Sequence, residues 1–167
     1  MKILVISDSH GRVAALREAV QAQPHAEMIL FLGDGDREID LLRNELPPDR
    51  TLYTVRGNND WGSDAPDERI VEVCGVRILM MHGHKYHVKW GVDEAIAAAC
   101  VQDAQVLLFG HTHVPLNTYR DGIHILNPGS VGFPDSGPRT YGLLEVRAEG
   151  VLTSVVPLES DRKMYGL

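Results

Sequence analysis

Hydrophobic positions along the 167-residue chain fall into short runs separated by polar clusters that carry glycine. The first run, Lys2 to Ile6, is aliphatic and closes on Ser-Asp-Ser-His-Gly, as a buried strand ending in a loop does. From Arg12 to Gln21, Val13, Leu16, Ala19 and Val20 recur at three- and four-residue spacing, which predicts a helix that Pro24 stops. The cycle repeats. Met28 to Leu32 reads as a strand, Gly33-Asp34-Gly35-Asp36 as a loop, and Ile39, Leu42 and Leu46 mark a helix ended by Pro47-Pro48. A third strand, Thr51 to Val55, runs into Gly57-Asn58-Asn59-Asp60, and Arg69 to Val73 with Val76 to Met81 form a hairpin across Cys74-Gly75. An alanine-rich helix follows from Val92 to Cys100.

The second half changes character. After a buried run at Val106 to Phe109, short strands are predicted at Leu116 to Tyr119, Ile123 to Leu126, Tyr141 to Val146 and Val151 to Val156. Turns at Asp121-Gly122 and Glu149-Gly150 pair these four as antiparallel hairpins. Strands alternating with helices imply parallel pairing through crossovers, so a two-sheet α/β layered domain is the simplest assembly. No repeat, linker or low-complexity segment interrupts the chain, which reads as a single domain over residues 1–167.

Composition narrows the picture. At 44% hydrophobic and 23% charged the chain is too apolar for disorder, and no apolar run approaches the roughly 18 residues of a membrane span. Lys2 and four apolar residues are far short of a signal peptide. Cys74 and Cys100 lie in apolar surroundings without a CxxC pair; they read as buried small hydrophobes in a protein of the reducing cytoplasm. Sixteen basic against 23 acidic residues give a formal charge of −7, which disfavours an extended nucleic-acid surface. A homo-oligomer is compatible with all of this.

The candidate chemistry sits where the strands end. Five apolar runs close on residues able to bind a metal: Asp8 and His10, Asp34, Asn58, His82, and His111 with His113. Ligands of open α/β sheets bind beyond the carboxyl ends of strands, so side chains over a hundred residues apart can converge there. Residues two apart on an extended strand share a side, so Asp8-x-His10 and His111-x-His113 can each supply two ligands. Imidazoles, carboxylates and an amide without sulfur favour Mn²⁺, Fe, Zn²⁺ or Ni²⁺ over Ca²⁺. Seven candidates are too many for one tetrahedral ion and suit two ions sharing a carboxylate, the recurring device for displacement at phosphorus.

The order Asp-x-His, Gly-Asp, Gly-Asn, His-Gly-His and Gly-His-Thr-His resembles that of calcineurin-like metallophosphoesterases. Asn127-Pro128-Gly129-Ser130-Val131 and the short length resemble the small bacterial and archaeal phosphodiesterase branch. The resemblance covers residues 1 to about 146 and implies a β-sandwich flanked by helices. It implies one metal held by Asp8, His10, Asp34 and His113, and another held by Asp34, Asn58, His82 and His111, with Asp34 bridging and manganese foremost. The implied activity is hydrolysis of small phosphodiesters by a hydroxide bridging two ions, with Asn58 and His82 helping to hold phosphoryl oxygens. Phosphatases of the superfamily often carry a proton-donating histidine after the metal-binding asparagine. Here that residue is Asn59, so protonation of the leaving group falls to His84, His87 or water.

Two other readings come from different classes. A non-catalytic scaffold, like the retromer subunit built on this fold, would be marked by lost ligand histidines, and none is lost. A nuclease would need DNA affinity that the acidic chain disfavours. Among the remaining residues, Asp36 is placed to cap the second helix, and Asp60 either orients a ligand or caps a turn. His25, His124 and the Asn127–Ser130 turn read as structural, and Trp61 and Trp90 as packing residues.

Overall fold

The structure is a computed structural model that describes residues 1–166. In chain order it contains β1 (Lys2–Ile6), α1 (Val13–Ala22), β2 (Met28–Phe31), α2 (Asp36–Arg43), β3 (Thr51–Thr54), β4 (Glu68–Val73) and β5 (Val76–Met81). A 3₁₀ turn (His84–Tyr86), α3 (Asp93–Val101), β6 (Val106–Leu108), β7 (Leu116–Arg120), β8 (Ile123–Asn127), β9 (Thr140–Arg147), β10 (Gly150–Pro157) and α4 (Glu159–Tyr165) follow. Every strand and helix expected from the hydrophobic pattern is present within a few residues. The 3₁₀ turn and α4 are additions.

The strands form two five-stranded sheets, ordered β10-β9-β1-β2-β3 and β4-β5-β6-β8-β7. β1, β2 and β3 are mutually parallel, as are β5, β6 and β8. The hairpins β4-β5, β7-β8 and β9-β10 are antiparallel. Alternation along β1 shows the layering: Ile3 and Val5 join Met80, Leu108 and Leu126 of the other sheet in a core between the sheets. Leu4 and Ile6 face the opposite way, against Leu16 and Ala19 of α1 and Ile39 and Leu42 of α2. On the far side, Leu79, Leu107 and Ile125 pack on Ala95, Ile96 and Ala99 of α3. Both faces of the central strands are covered, which is why they read as continuous apolar runs. Among the described residues no helix is long and apolar enough to cross a membrane.

Three expectations are corrected. Cys74 and Cys100 are exposed. Cys74 has φ 50° beside Gly75 at φ 81°, in a two-residue turn whose tip leaves the sheet, and Cys100 follows the buried Ala99 onto the solvent side of α3. Trp61 and Trp90 are 90% and 91% exposed, because each lies in a loop beyond the cover of the three cores. Asp36 is the first residue of α2, after Gly35 at the cap position, and its side chain caps nothing.

Candidate metal centre

The carboxyl ends of β1, β2 and β3 in one sheet meet those of β5 and β6 in the other along one edge of the sandwich. Backbone contacts stitch them together. Asp8 N–H donates to Gly33 O at 3.0 Å, and Gly110 N–H donates to His82 O at 3.1 Å. The turn after β8 closes the floor: Ser130 Oγ donates to Asp8 O at 2.7 Å, and Asn127 Nδ2 donates to Gly110 O at 2.9 Å. Asn127 and Ser130 are buried, so this turn is structural, as its sequence suggested. Glycine is required where loops touch. A Cβ on Gly57 would lie 2.0 Å from Asp34 Oδ1, and one on Gly110 would lie 2.0 Å from Ser7 Oγ.

Five of the seven candidate ligands adopt left-handed backbone: Asp8 (φ 58°), His10 (42°), Asp34 (59°), His111 (66°) and His113 (58°). They are five of nine such non-glycine residues among those described. Each such conformation costs on the order of 1 kcal/mol or more and persists where the surroundings enforce it, and such strain clusters at functional sites.

Asp8 is fully buried. Its Oδ2 accepts the His111 N–H at 3.1 Å, whereas its Oδ1 accepts no hydrogen bond, although His113 Nε2 is 3.1 Å away. His10 Nε2 and His113 Nε2 face each other at 3.0 Å, so at most one of the two can carry a proton there. Asp34 is held by Asn59, whose backbone N–H donates to Oδ1 at 2.8 Å and whose Nδ2 donates to Oδ2 at 2.6 Å. His82 is buried with Nδ1 2.7 Å from Leu32 O. A carbonyl only accepts, so Nδ1 carries the proton. Nε2 of His82 lies 3.1 Å from Asn58 Oδ1 and 3.5 Å from Asp34 Oδ2. Three electron-rich atoms facing one another need either a proton on Nε2 or a cation among them.

Two groups of side chains could hold a metal ion, Asp8-His10-His113 and Asp8-Asp34-His82, each with its ligand atoms within 4.8 Å of one another. The unpartnered Asp8 oxygen, the opposed imidazole nitrogens and the acceptors around His82 Nε2 fit a divalent transition-metal cation that takes mixed oxygen and nitrogen donors. His111 stands over His82 with ring centroids 5.0 Å apart, and His84 lies 5.5 Å from His82 and 6.1 Å from His111. His87 is exposed and paired with Glu94 at 3.0 Å.

The electrostatics divide the histidines. Burial raises the Asp8 carboxyl, but His10, His113 and the charge of His82 outweigh it and hold Asp8 below the ordinary carboxylate range. The same contact with Asp8 raises His10 and His113. Burial, then the charge of His82, pushes His111 down to about 4 and also lowers His84.

Asp60 contributes in a way that its sequence left open. Its carboxylate accepts the backbone N–H groups of Asp34 and Gly57 at 2.8 and 2.7 Å on Oδ2, and of Gly35 and Asp36 at 2.8 and 3.0 Å on Oδ1. It therefore caps α2 from the β3 loop and orients Asp34 at once. Asn59 was also missed as an orienting group, because its sequence suggested only an absent histidine.

Residues 1–149 match the family model described as calcineurin-like phosphoesterase superfamily domain. The chain is 32% identical over 134 residues to the probable metallophosphoesterase YsnB of Bacillus subtilis, covering 80% of this chain and 77% of the relative. It is 30% identical over 171 residues to the phosphodiesterase YfcE of Escherichia coli, covering 87% and 88% of the two chains. A solved YfcE structure superposes with a TM-score of 0.73 at 27% identity, covering 96% of this chain and 95% of that one. Vps29 of Chaetomium thermophilum, at 22% identity and a TM-score of 0.74 over 93% and 95% of the two chains, shares the fold. The sequence blocks, the layered sheets and the clustered aspartates and histidines thus coincide, and the chain belongs to the calcineurin-like phosphoesterase superfamily.

Proposed function

We propose that the protein hydrolyses small phosphodiesters with two divalent metal ions, manganese foremost, bound at the strand ends. Asp8, His10, Asp34 and His113 would hold one ion and Asp34, Asn58, His82 and His111 the other. The observation that carries this reading is the buried, unpartnered Oδ1 of Asp8 beside the facing Nε2 atoms of His10 and His113. When bound, such a pair of ions supplies a nucleophile from water at neutral pH and neutralises charge on the phosphoryl oxygens.

The chain's own residues set the geometry. Asn59 and Asp60 fix the Asp34 carboxylate, and the Leu32 carbonyl fixes the His82 ring so that Nε2 points into the site. Asn58 and His82 bound the place where phosphoryl oxygens would lie. Burial, then the charge of His82, lowers the pKa of the His84 imidazole, which lies beside His82 and His111 where it can hydrogen-bond a leaving oxygen. With the amide of Asn59 after Asn58 rather than an acid, substrates whose leaving group departs unprotonated, such as aryl diesters, are favoured. Asn59 gives its amide to Asp34 and has no acidic proton to offer.

The test uses metal-stripped protein and bis(4-nitrophenyl) phosphate. Hydrolysis is expected only after Mn²⁺ or a similar ion is restored. Asp34→Asn and His111→Ala are expected to lose more than the roughly 10–100-fold that outer partners of metal ligands cost. Unchanged activity in both variants would sink the proposal.

A further inference from the structure

Of the two exposed indoles, Trp61 alone stands beside the candidate metal centre. A single exposed aromatic side chain is ordinary, so exposure itself says little. Its setting says more. Trp61 directly follows Asp60, whose carboxylate is fastened by four backbone N–H groups of the β2 and β3 loops. The backbone under the indole is thereby tied to the loop that carries Asp34. Two clefts open on either side. One, of about 320 Å³, is walled by His10, Asp34, Asn59 and Trp61. The other, of about 340 Å³, is walled by Asn58, His84 and Trp61. Both volumes are at the low end for small-molecule sites. Asp60 and Trp61 are common to the two, and the Asp60 carboxylate is occupied by the backbone. The indole is thus the free surface that both clefts share. Trp90, equally exposed, borders neither.

Clefts walled by both metal-ligand candidates and an exposed indole suit an ester with a charged phosphate and a planar ring. We propose that Trp61 is a specificity-determining residue that stacks on an aromatic substituent, aryl or nucleobase, of the phosphodiester bound at this centre. This rests on the hydrolase reading above. Stacking of a ring on an aromatic side chain is sequence-tolerant and rewards any planar group, so it selects ring-bearing diesters over alkyl ones without reading their edges.

Binding and hydrolysis are measured separately on Mn²⁺-loaded protein. Calorimetry gives Kd for phenyl phosphate, methyl phosphate and inorganic phosphate. Trp61→Ala is expected to weaken phenyl phosphate about fivefold to tenfold, to leave the other two unchanged, and to be largely rescued by Trp61→Phe. In a Trp90→Phe background Trp61 is the sole tryptophan, and its emission should change saturably with phenyl phosphate but not with methyl phosphate. Equal weakening of all three ligands, no weakening of any, or emission blind to phenyl phosphate would overturn the proposal. If the wild-type protein cleaves no diester while the ring preference stands, the hydrolase reading fails instead. If cleavage is intact and the ring preference is absent, the stacking role alone fails.

Discussion

A carboxylate that binds no ligand atom governs much of the site. Asp60 has two oxygens and four backbone donors, and all four contacts are charge-assisted. Asp60→Asn keeps the shape but loses one acceptor oxygen and turns an NH₂ group toward N–H donors. Leaving buried donors unpaired costs about 1–3 kcal/mol each, so a destabilisation of about 2 kcal/mol or more is expected in urea unfolding. Metal affinity should fall roughly 10–100-fold, which titration calorimetry would register. At this scale the candidate ligands were legible, because Asp8 with His10, Asp34, Asn58, His82, and His111 with His113 lie just beyond five apolar runs. The orienting roles of Asn59 and Asp60 were not, since they depend on loops brought together from different strands. Exposure of Trp61, Cys74 and Cys100 was also illegible: a short apolar residue list does not say whether a loop tip or the outer side of a helix carries it.

Among the elements, the helix that escaped the sequence pattern is α4. Its residues Glu-Ser-Asp-Arg-Lys-Met-Tyr offer no apolar stripe, with Met164 and Tyr165 mostly in solvent and Asp161 the buried member. What anchors it is ionic: Asp161 accepts from the backbone N–H of Arg139 at 2.7 Å and from its guanidinium at both oxygens. The guanidinium lowers the Asp161 carboxyl below its ordinary 3.8. A folded-state pKa below the unfolded one gives stability that is present above the unfolded value and lost as pH falls through the folded value. Unfolding free energy should therefore drop as pH falls below about 4. Asp161→Asn should remove that part of the acid dependence and cost about 1–3 kcal/mol at pH 7. An unaltered acid limb in denaturant titrations would contradict this. By contrast, α1, α2 and α3 were legible because each buries a periodic face against a sheet.

For the molecule as a whole, four layers follow from two covered sheets. Leu108 is completely buried in the core between them, and Leu108→Ala is expected to cost about 2–5 kcal/mol, with a proportionate loss of thermal midpoint. The alternation of inner and outer faces along β1 could not be read from Lys2–Ile6, because burial on both faces erases the polar–apolar signal. The convergence of five strand ends on one edge was legible from the repeated strand-then-ligand order. That edge also alters the electrostatics of an acidic protein. Two divalent ions would set four positive charges against a formal −7, placed where an anionic ester would arrive. Cations that bind only the folded state should stabilise it by about 2.7 kcal/mol at a hundredfold excess over Kd, seen as a rise in thermal midpoint that a chelator reverses.

The most direct test of a two-ion centre is to count ions. Metal-stripped protein titrated with Mn²⁺ in a calorimeter, with bound metal checked by elemental analysis, is expected to take up two ions per chain. Asp34→Asn should weaken both sites, since that carboxylate is proposed to be shared. Uptake of no metal, or wild-type stoichiometry and affinity in Asp34→Asn, would contradict the account.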